Sequence, residues 1–265
     1  MLDWLTATLL KLLDLIFQFL PQRVPDQKAL CACKIISHRG EHDNKTVWEN
    51  TLPAYDLAAN AGVWGIECDI RWTRDLVPVI CHDPSGERLF GRPEKICDLP
   101  YSQLNELFPL IPTLEELVER YGGRVHLMIE IKDEYYPEPE QQKEILKRLL
   151  AGLSPGVDYH FLALDPILFQ KVDFVPGKFH FPVAEANFAR LSRLSLESNL
   201  GGLTGHFLLL GNELKHRHEL AGQRIGTGFI ASRNCLFREL NRGVEWIFSN
   251  NAAKVQRIRD SCLIE

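Results

Sequence analysis

From Lys34 onward, short runs of apolar residues alternate with segments whose apolar positions recur every three or four residues. The short runs predict strands at Lys34–Ser37, Gly65–Arg71, Val77–His82, Val125–Lys132, Tyr159–Leu164, Lys178–Val183, Phe207–Leu210, Arg224–Ala231 and Glu245–Ser249. The longer period predicts helices over Thr51–Ala61, Thr113–Arg120, Glu138–Leu153, Glu213–Leu220 and Leu236–Arg242. Asn50 is positioned to cap the first of these, with Pro53 in its opening turn; Thr113 is positioned to cap the second, whose Glu115 and Glu116 suit a helix N-terminus. Strands alternating with helices imply parallel strands joined by helical crossovers. The strand candidates exceed by one the eight that a closed barrel needs, and Phe207–Leu210 is read as the surplus one.

The first twenty residues break the pattern. Leu2, Leu5, Leu9, Leu12, Ile16 and Leu20 recur at helical spacing, and Pro21 ends the run. Lys11 and Asp14 stand where a membrane-spanning helix would suffer most. The segment lacks a basic leader and a small-residue cleavage site, so it does not read as a secretory signal. The expectation is an N-terminal apolar helix within residues 1–25 that lies on a membrane surface or caps the barrel, with a packed core helix and a true span as alternatives. Residues 26–265 then form one domain, since a barrel of this type needs roughly 250 residues.

Composition narrows the function. The chain is 45% hydrophobic and 25% charged, with a net charge of −5 and no dominant basic stretch. That excludes a nucleic-acid partner held by phosphate neutralisation and is compatible with a small-molecule substrate. The seven cysteines, Cys31, Cys33, Cys68, Cys81, Cys97, Cys235 and Cys262, are odd in number and show no framework spacing. Free thiols in a reducing, cytoplasmic setting are expected, and Cys31-Ala32-Cys33 lacks a zinc or redox spacing.

Polar residues gather at the ends of the predicted strands, where barrel enzymes place their chemistry. His38 follows the first strand, Glu67 and Asp69 lie late in the second, His82 closes the third, and Glu130 and Lys132 close the fourth. Residues two apart share a strand face, so Glu67 pairs with Asp69 and Glu130 with Lys132. Adjacent carboxylates repel unless a cation lies between them, and three oxygen donors suit Mg2+ or Ca2+ better than zinc. Two histidines on opposite sides of a phosphodiester can serve as general base and general acid. Arg39 and Lys132 can hold phosphate oxygens. The remaining histidines (His42, His126, His160, His180, His206, His216 and His218) read as ordinary core or surface residues.

The blocks His38-Arg39-Gly40, Glu49-Asn50-Thr51, Glu67-Cys68-Asp69, Thr73-Arg74-Asp75 and His82-Asp83 resemble, in order and spacing, the signature of the glycerophosphodiester phosphodiesterase family. Pro112 to Glu116, Glu130-Ile131-Lys132 and the closing run Gly243 to Asn250 are similar to its later blocks, so the resemblance covers about Lys34 to Asn251. It implies a (β/α)8 TIM barrel and a divalent cation held by Glu67, Asp69 and Glu130. It carries over His38 and His82 as the acid–base pair and Arg39 and Lys132 as phosphate ligands, with Glu49 and Asn50 supporting the site. The implied substrate is a glycerophosphodiester cleaved to glycerol 3-phosphate and an alcohol. Two departures lie in the second half: Ala163-Leu164-Asp165 stands where the family has Ser-Phe, and Gly228-Phe229-Ile230-Ala231 where it has Trp-Thr-Val-Asn. The second is expected to remove an aromatic wall beside the phosphate. Two other readings follow from these features. The apolar N-terminus would suit a lysophospholipase D or sphingomyelinase D-like lipid phosphodiesterase, and the altered second half a catalytically inactive ligand-binding barrel. The sequence leaves the oligomeric state open.

Overall fold

The computed structural model describes residues 16–264. Its strands are β1 (Lys34–His38), β2 (Gly65–Trp72), β3 (Pro78–Ile80), β4 (His126–Ile131), β5 (Tyr159–Ala163), β6 (His180–Ala184), β7 (Gly202–His206), β8 (Arg224–Gly228) and β9 (Trp246–Ser249). All but β3 run parallel, in the order β1-β9-β8-β7-β6-β5-β4-β2, and β2 pairs back onto β1 to close the ring. This is the expected (β/α)8 barrel. The ring is buried on both faces, as parallel strands covered by crossover helices must be; every residue of β2, β4, β5 and β9 is buried. Ile36, Met128, Leu162, Phe181, Trp246 and Phe248 fill the interior. The opposite strand faces pack against the helical layer in a larger cluster that includes Ile66, Cys68, Ile129 and Phe161.

Two strand assignments change. Val77–His82, expected in the ring, contributes instead the short β3, which pairs antiparallel to β2 through Ile70 opposite Ile80 and Trp72 opposite Pro78. The reason is chain length. Trp72 and Pro78 are joined by a tight turn in which Thr73 N–H donates to Val77 O at 3.1 Å, whereas a parallel return needs a dozen residues or more. The vacated ring place belongs to β7, which the apolar pattern passed over; Phe207–Leu210, correctly set aside as a strand, is the turn after it. The strand reads Gly-Leu-Thr-Gly-His because neighbours occupy its space: a Cβ on Gly205 would lie 2.3 Å from the Phe188 ring.

The excursion from β3 to β4 carries its own small core of Val79, Cys81, Ile96, Leu104, Phe108 and Ile111. Helix Leu114–Tyr121 begins on the expected cap, with Thr113 and Glu116 bonding reciprocally. Helix Leu52–Asn60 is capped by Thr51, not Asn50. Asn50 has work elsewhere: its side chain turns into the barrel mouth and donates to Asp69 Oδ2 at 2.7 Å. Helices Phe188–Glu197 and Ala252–Asp260 were not anticipated. All seven cysteines are free.

The N-terminal helix expected over residues 2–20 lies, up to residue 15, outside the described residues. At its end, the Phe17 ring meets Phe207 edge-on at 6.2 Å. No helix among the described residues is long and apolar enough to cross a membrane.

Candidate active site

The period of two along β2 places Glu67, Asp69 and Arg71 on one face. Strand register then sets Glu130 of β4 beside Asp69, and His38 of β1 beside Glu67. Glu67, Asp69 and Glu130 are all buried, and each offers an oxygen within 4.8 Å of the others. Burial, reinforced by Asp69 and Glu130, pushes the Glu67 carboxyl well above the usual carboxylate range. Burial and Asp69 raise Glu130 as well. Asp69 moves the other way: burial disfavours its charge, but Lys132 and Arg39 together hold it below the usual range. Glu67 Oε1 is buried with no hydrogen-bond partner. An unsatisfied carboxylate oxygen inside a cluster of three is the donor set of a hard divalent cation, and the residues present fit such an ion.

The two histidines of interest face this cluster differently. His38 Nε2 lies 3.7 Å from Glu67 Oε2, and its Nδ1–H donates to Asn250 Oδ1 at 2.6 Å. Burial, aided by Arg39, lowers its pKa to about 4, so the ring is neutral at pH 7 with Nε2 free to accept a proton. His82 Nδ1–H donates to Asp83 Oδ1 at 2.8 Å. Burial lowers its pKa too, while Asp69 and Asp83 oppose that shift. His82 does not end a barrel strand as expected. It follows β3 and is carried over the mouth by Arg71, which donates to His82 O through Nε (2.9 Å) and Nη2 (2.7 Å).

Arg39 and Lys132 turn toward carboxylates. Arg39 Nη1 donates to Glu49 Oε1 at 3.0 Å, and its Nε is 3.4 Å from Asp69 Oδ2. Lys132 Nζ is paired with Glu130 and lies 2.7 Å from Asp69 Oδ1. The loop from Arg39 to Asn50 takes left-handed backbone at both ends (φ 60° and 57°) and is closed by Asn50 N–H donating to Arg39 O at 2.9 Å. Glu49 accepts from Arg39, from Asn44 at 2.6 Å and from Arg88 at 2.6 and 3.1 Å. Burial opposes its charge, but Arg88, Asn44 and Arg39 more than offset that and hold its pKa at about 2.

The nine residues singled out from the sequence thus meet at one mouth. Four more complete their surroundings. Arg88, on the short helix Glu87–Phe90, bridges Glu49 to Asp83, reaching Asp83 Oδ2 at 2.5 Å. Arg71, Asp83 and Asn250 are the others. Asp83 and Asn250 fell within the recognised blocks without a role, and Arg71 had its β2 spacing as a signal; Arg88 had none.

Gly228 stands where the family's Trp is expected, but the next residue brings an aromatic ring near the first histidine: Phe229, in left-handed backbone (φ 67°), lies 6.3 Å from His38 and stacks on His206 at 5.2 Å. Of the histidines set aside, His126, His160, His180 and His218 are buried structural residues, while His206 and His42 stand at the mouth. A cavity of about 150 Å3 beside Arg224, Glu245 and Trp246 opens at the opposite end of the barrel and shares no residue with this constellation.

Comparison with known proteins agrees with this fold. Residues 38–174 match the model of the glycerophosphoryl diester phosphodiesterase family. Over 162 residues the chain is 33% identical to glycerophosphodiester phosphodiesterase 1 of Homo sapiens, which covers 53% of this chain and 47% of that protein. The chain thus spans about half the length of the curated relatives it matches first. The fold is similar to a glycerophosphodiester phosphodiesterase of Thermotoga maritima (TM-score 0.70, 23% identity, 84% of this chain and 96% of that one). It is also similar to an Oleispira antarctica phosphodiesterase in complex with the product sn-glycerol-3-phosphate (TM-score 0.73, 21% identity, 86% and 96%).

Proposed function

Because the chain belongs to the glycerophosphoryl diester phosphodiesterase family, we propose that it hydrolyses glycerophosphodiesters to glycerol 3-phosphate and an alcohol, using a divalent cation and the pair His38 and His82. The observation that carries this reading is the buried carboxylate triad with His38 Nε2 at its edge. Glu67, Asp69 and Glu130 would hold Mg2+ or Ca2+, which lowers the pKa of an attacking hydroxyl and offsets phosphate charge. Neutral His38 takes the proton of the attacking hydroxyl at Nε2, with Asn250 fixing the ring; where that hydroxyl is the substrate's own glycerol group, a cyclic phosphate forms and water then opens it to glycerol 3-phosphate. His82 delivers a proton to the leaving alcohol oxygen, and Asp83 stabilises its imidazolium form. Arg39 and Lys132 oppose the phosphate oxygens, and Glu49 and Asn50 keep Arg39 and Asp69 in place. The product-bound phosphodiesterase of the same fold supports glycerol 3-phosphate as the released half. Seven free thiols suit a reducing, cytoplasmic setting.

The test is glycerol 3-phosphate release from glycerophosphocholine and glycerophosphoethanolamine with Mg2+ or Ca2+, with chelator, and with His38→Ala. Release that chelator and substitution both abolish is expected. No release from either diester with cation present would overturn the proposal.

A further inference from the structure

His38 ends a strand of the ring, but His82 has no such support. It follows β3, the edge strand that lies outside the ring. The main-chain ladder runs out at this point. Cys81 N–H still donates to Asp69 O at 2.9 Å, but among the described residues no backbone N–H reaches His82 O. A side chain takes that place: Arg71 bonds the carbonyl through both Nε and Nη2. Two N–H groups of one planar guanidinium converging on one oxygen fix the direction of that peptide as well as its distance.

The guanidinium is itself tethered. Glu134, in the segment after β4, accepts from Arg71 Nη1 at Oε2 (2.9 Å) and from Trp72 N–H at Oε1 (3.0 Å). Trp72 is the last residue of β2, so one carboxylate joins the barrel frame to the group that holds His82. The two side chains are only 9% and 12% exposed, and solvent does not screen them as it screens a surface pair. Arg71 shares a strand face with Glu67 and Asp69, yet among the described residues its ion-pair partner is Glu134 alone. Its charge is therefore not committed to the carboxylate cluster.

We propose that Arg71 and Glu134 are positioning residues for His82: Glu134, fastened to the end of β2, aims the Arg71 fork, and the fork sets the main chain that carries the imidazole. This rests on the phosphodiesterase reading and on His82 as its general acid. In that step the His82 proton passes to the bridging oxygen as the P–O bond breaks, the electron pair of that bond stays on oxygen, and the alcohol leaves. Neither Arg71 nor Glu134 touches the reacting atoms. Both act through the place of the ring.

The test compares two diesters, glycerophosphocholine and glycerophospho-p-nitrophenol. Choline must leave protonated, whereas p-nitrophenolate is stable enough to leave without a proton. The variants are Arg71→Lys, which leaves Glu134 a cation but no fork, and Glu134→Gln, which leaves Trp72 an acceptor. His82→Ala sets the pattern for a lost acid. Each variant is expected to lower kcat on glycerophosphocholine about 10- to 100-fold with KM little changed, and to stay within about threefold of wild type on the nitrophenyl diester. A mere brace between the β4 segment and the β3 excursion would lower both activities alike. If His82→Ala is selective but the two variants lose both activities equally, or lose neither, the positioning role is overturned and the phosphodiesterase reading stands. If wild type turns over neither diester, or His82→Ala loses both equally, the acid role of His82 falls and this inference falls with it.

Discussion

Asn250 Oδ1 lies 2.6 Å from His38 Nδ1, a contact between residues 212 positions apart. An amide oxygen can only accept, so His38 keeps its proton on Nδ1 and presents the Nε2 lone pair to the carboxylate cluster. Replacing Asn250 by Ala removes that constraint without touching the ligand oxygens. Steady-state kinetics should show kcat reduced about 100-fold with KM little changed, the signature of lost positioning.

The second histidine depends on its neighbour's charge. Burial lowers the pKa of His82, and the hydrogen bond to Asp83 works against that shift. In Asp83→Asn burial acts unopposed by that carboxylate, and the pKa falls further. A general acid must be protonated to act, so the alkaline limb of the kcat/KM profile should move to lower pH. An unmoved limb would remove His82 from the acid role.

Arg88 joins the two halves of the mouth through Glu49 and Asp83. Glu49 has a folded-state pKa of about 2, below its unfolded value, so its stabilisation is present above the unfolded pKa and is lost as pH falls through about 2. Arg88 is half exposed, which discounts the pair. Arg88→Ala should cost about 1–2 kcal/mol at pH 7, and the deficit should shrink as acid protonates Glu49. Urea denaturation at pH 7 and pH 3 measures both values.

Cation binding should read out as stability. At a concentration about 100 times Kd, a bound ion adds about 2.7 kcal/mol, or roughly 5–10 °C in Tm for a chain of this size. Glu67→Gln should abolish that gain. The raised Glu67 pKa means that ionisation opposes folding as pH climbs above the unfolded value. In chelator at pH 8 the variant should therefore melt no lower than wild type, its amide oxygen still able to accept from Arg39 N–H, and a lower melting point would mean that the charged carboxylate itself stabilises the fold.

Gly40 occupies φ 80°, and a Cβ there would lie 2.7 Å from Ala54 Cβ. Gly40→Ala should destabilise by about 1–3 kcal/mol and displace the Arg39–Asn50 loop, lowering Tm and activity together.

The part of this site that follows from local periodicity was legible in the sequence. Glu67 with Asp69 and Glu130 with Lys132 follow from the two-residue repeat of a strand, and register alone brings them together. Glu49 and Asn50 were legible only through resemblance, because their placement depends on a loop with left-handed backbone at Arg39 and Asn50. Arg88 was invisible: its partners, Glu49 and Asp83, are assembled by the tertiary fold. β3 misled because an apolar run looks the same whichever way its strand runs. β7 was hidden because close packing replaced its large side chains with glycine.

The bond between Asn250 and His38 sits at the seam where the last strand, β9, lies against the first, β1. The other candidate site residues, from His38 to Lys132, all come from the first half of the chain, so the amide that fixes His38 is the part of the site that the last strand supplies. Turnover is then a reporter of ring closure: a nascent or proteolytically clipped barrel would stay nearly silent while keeping most of its secondary structure.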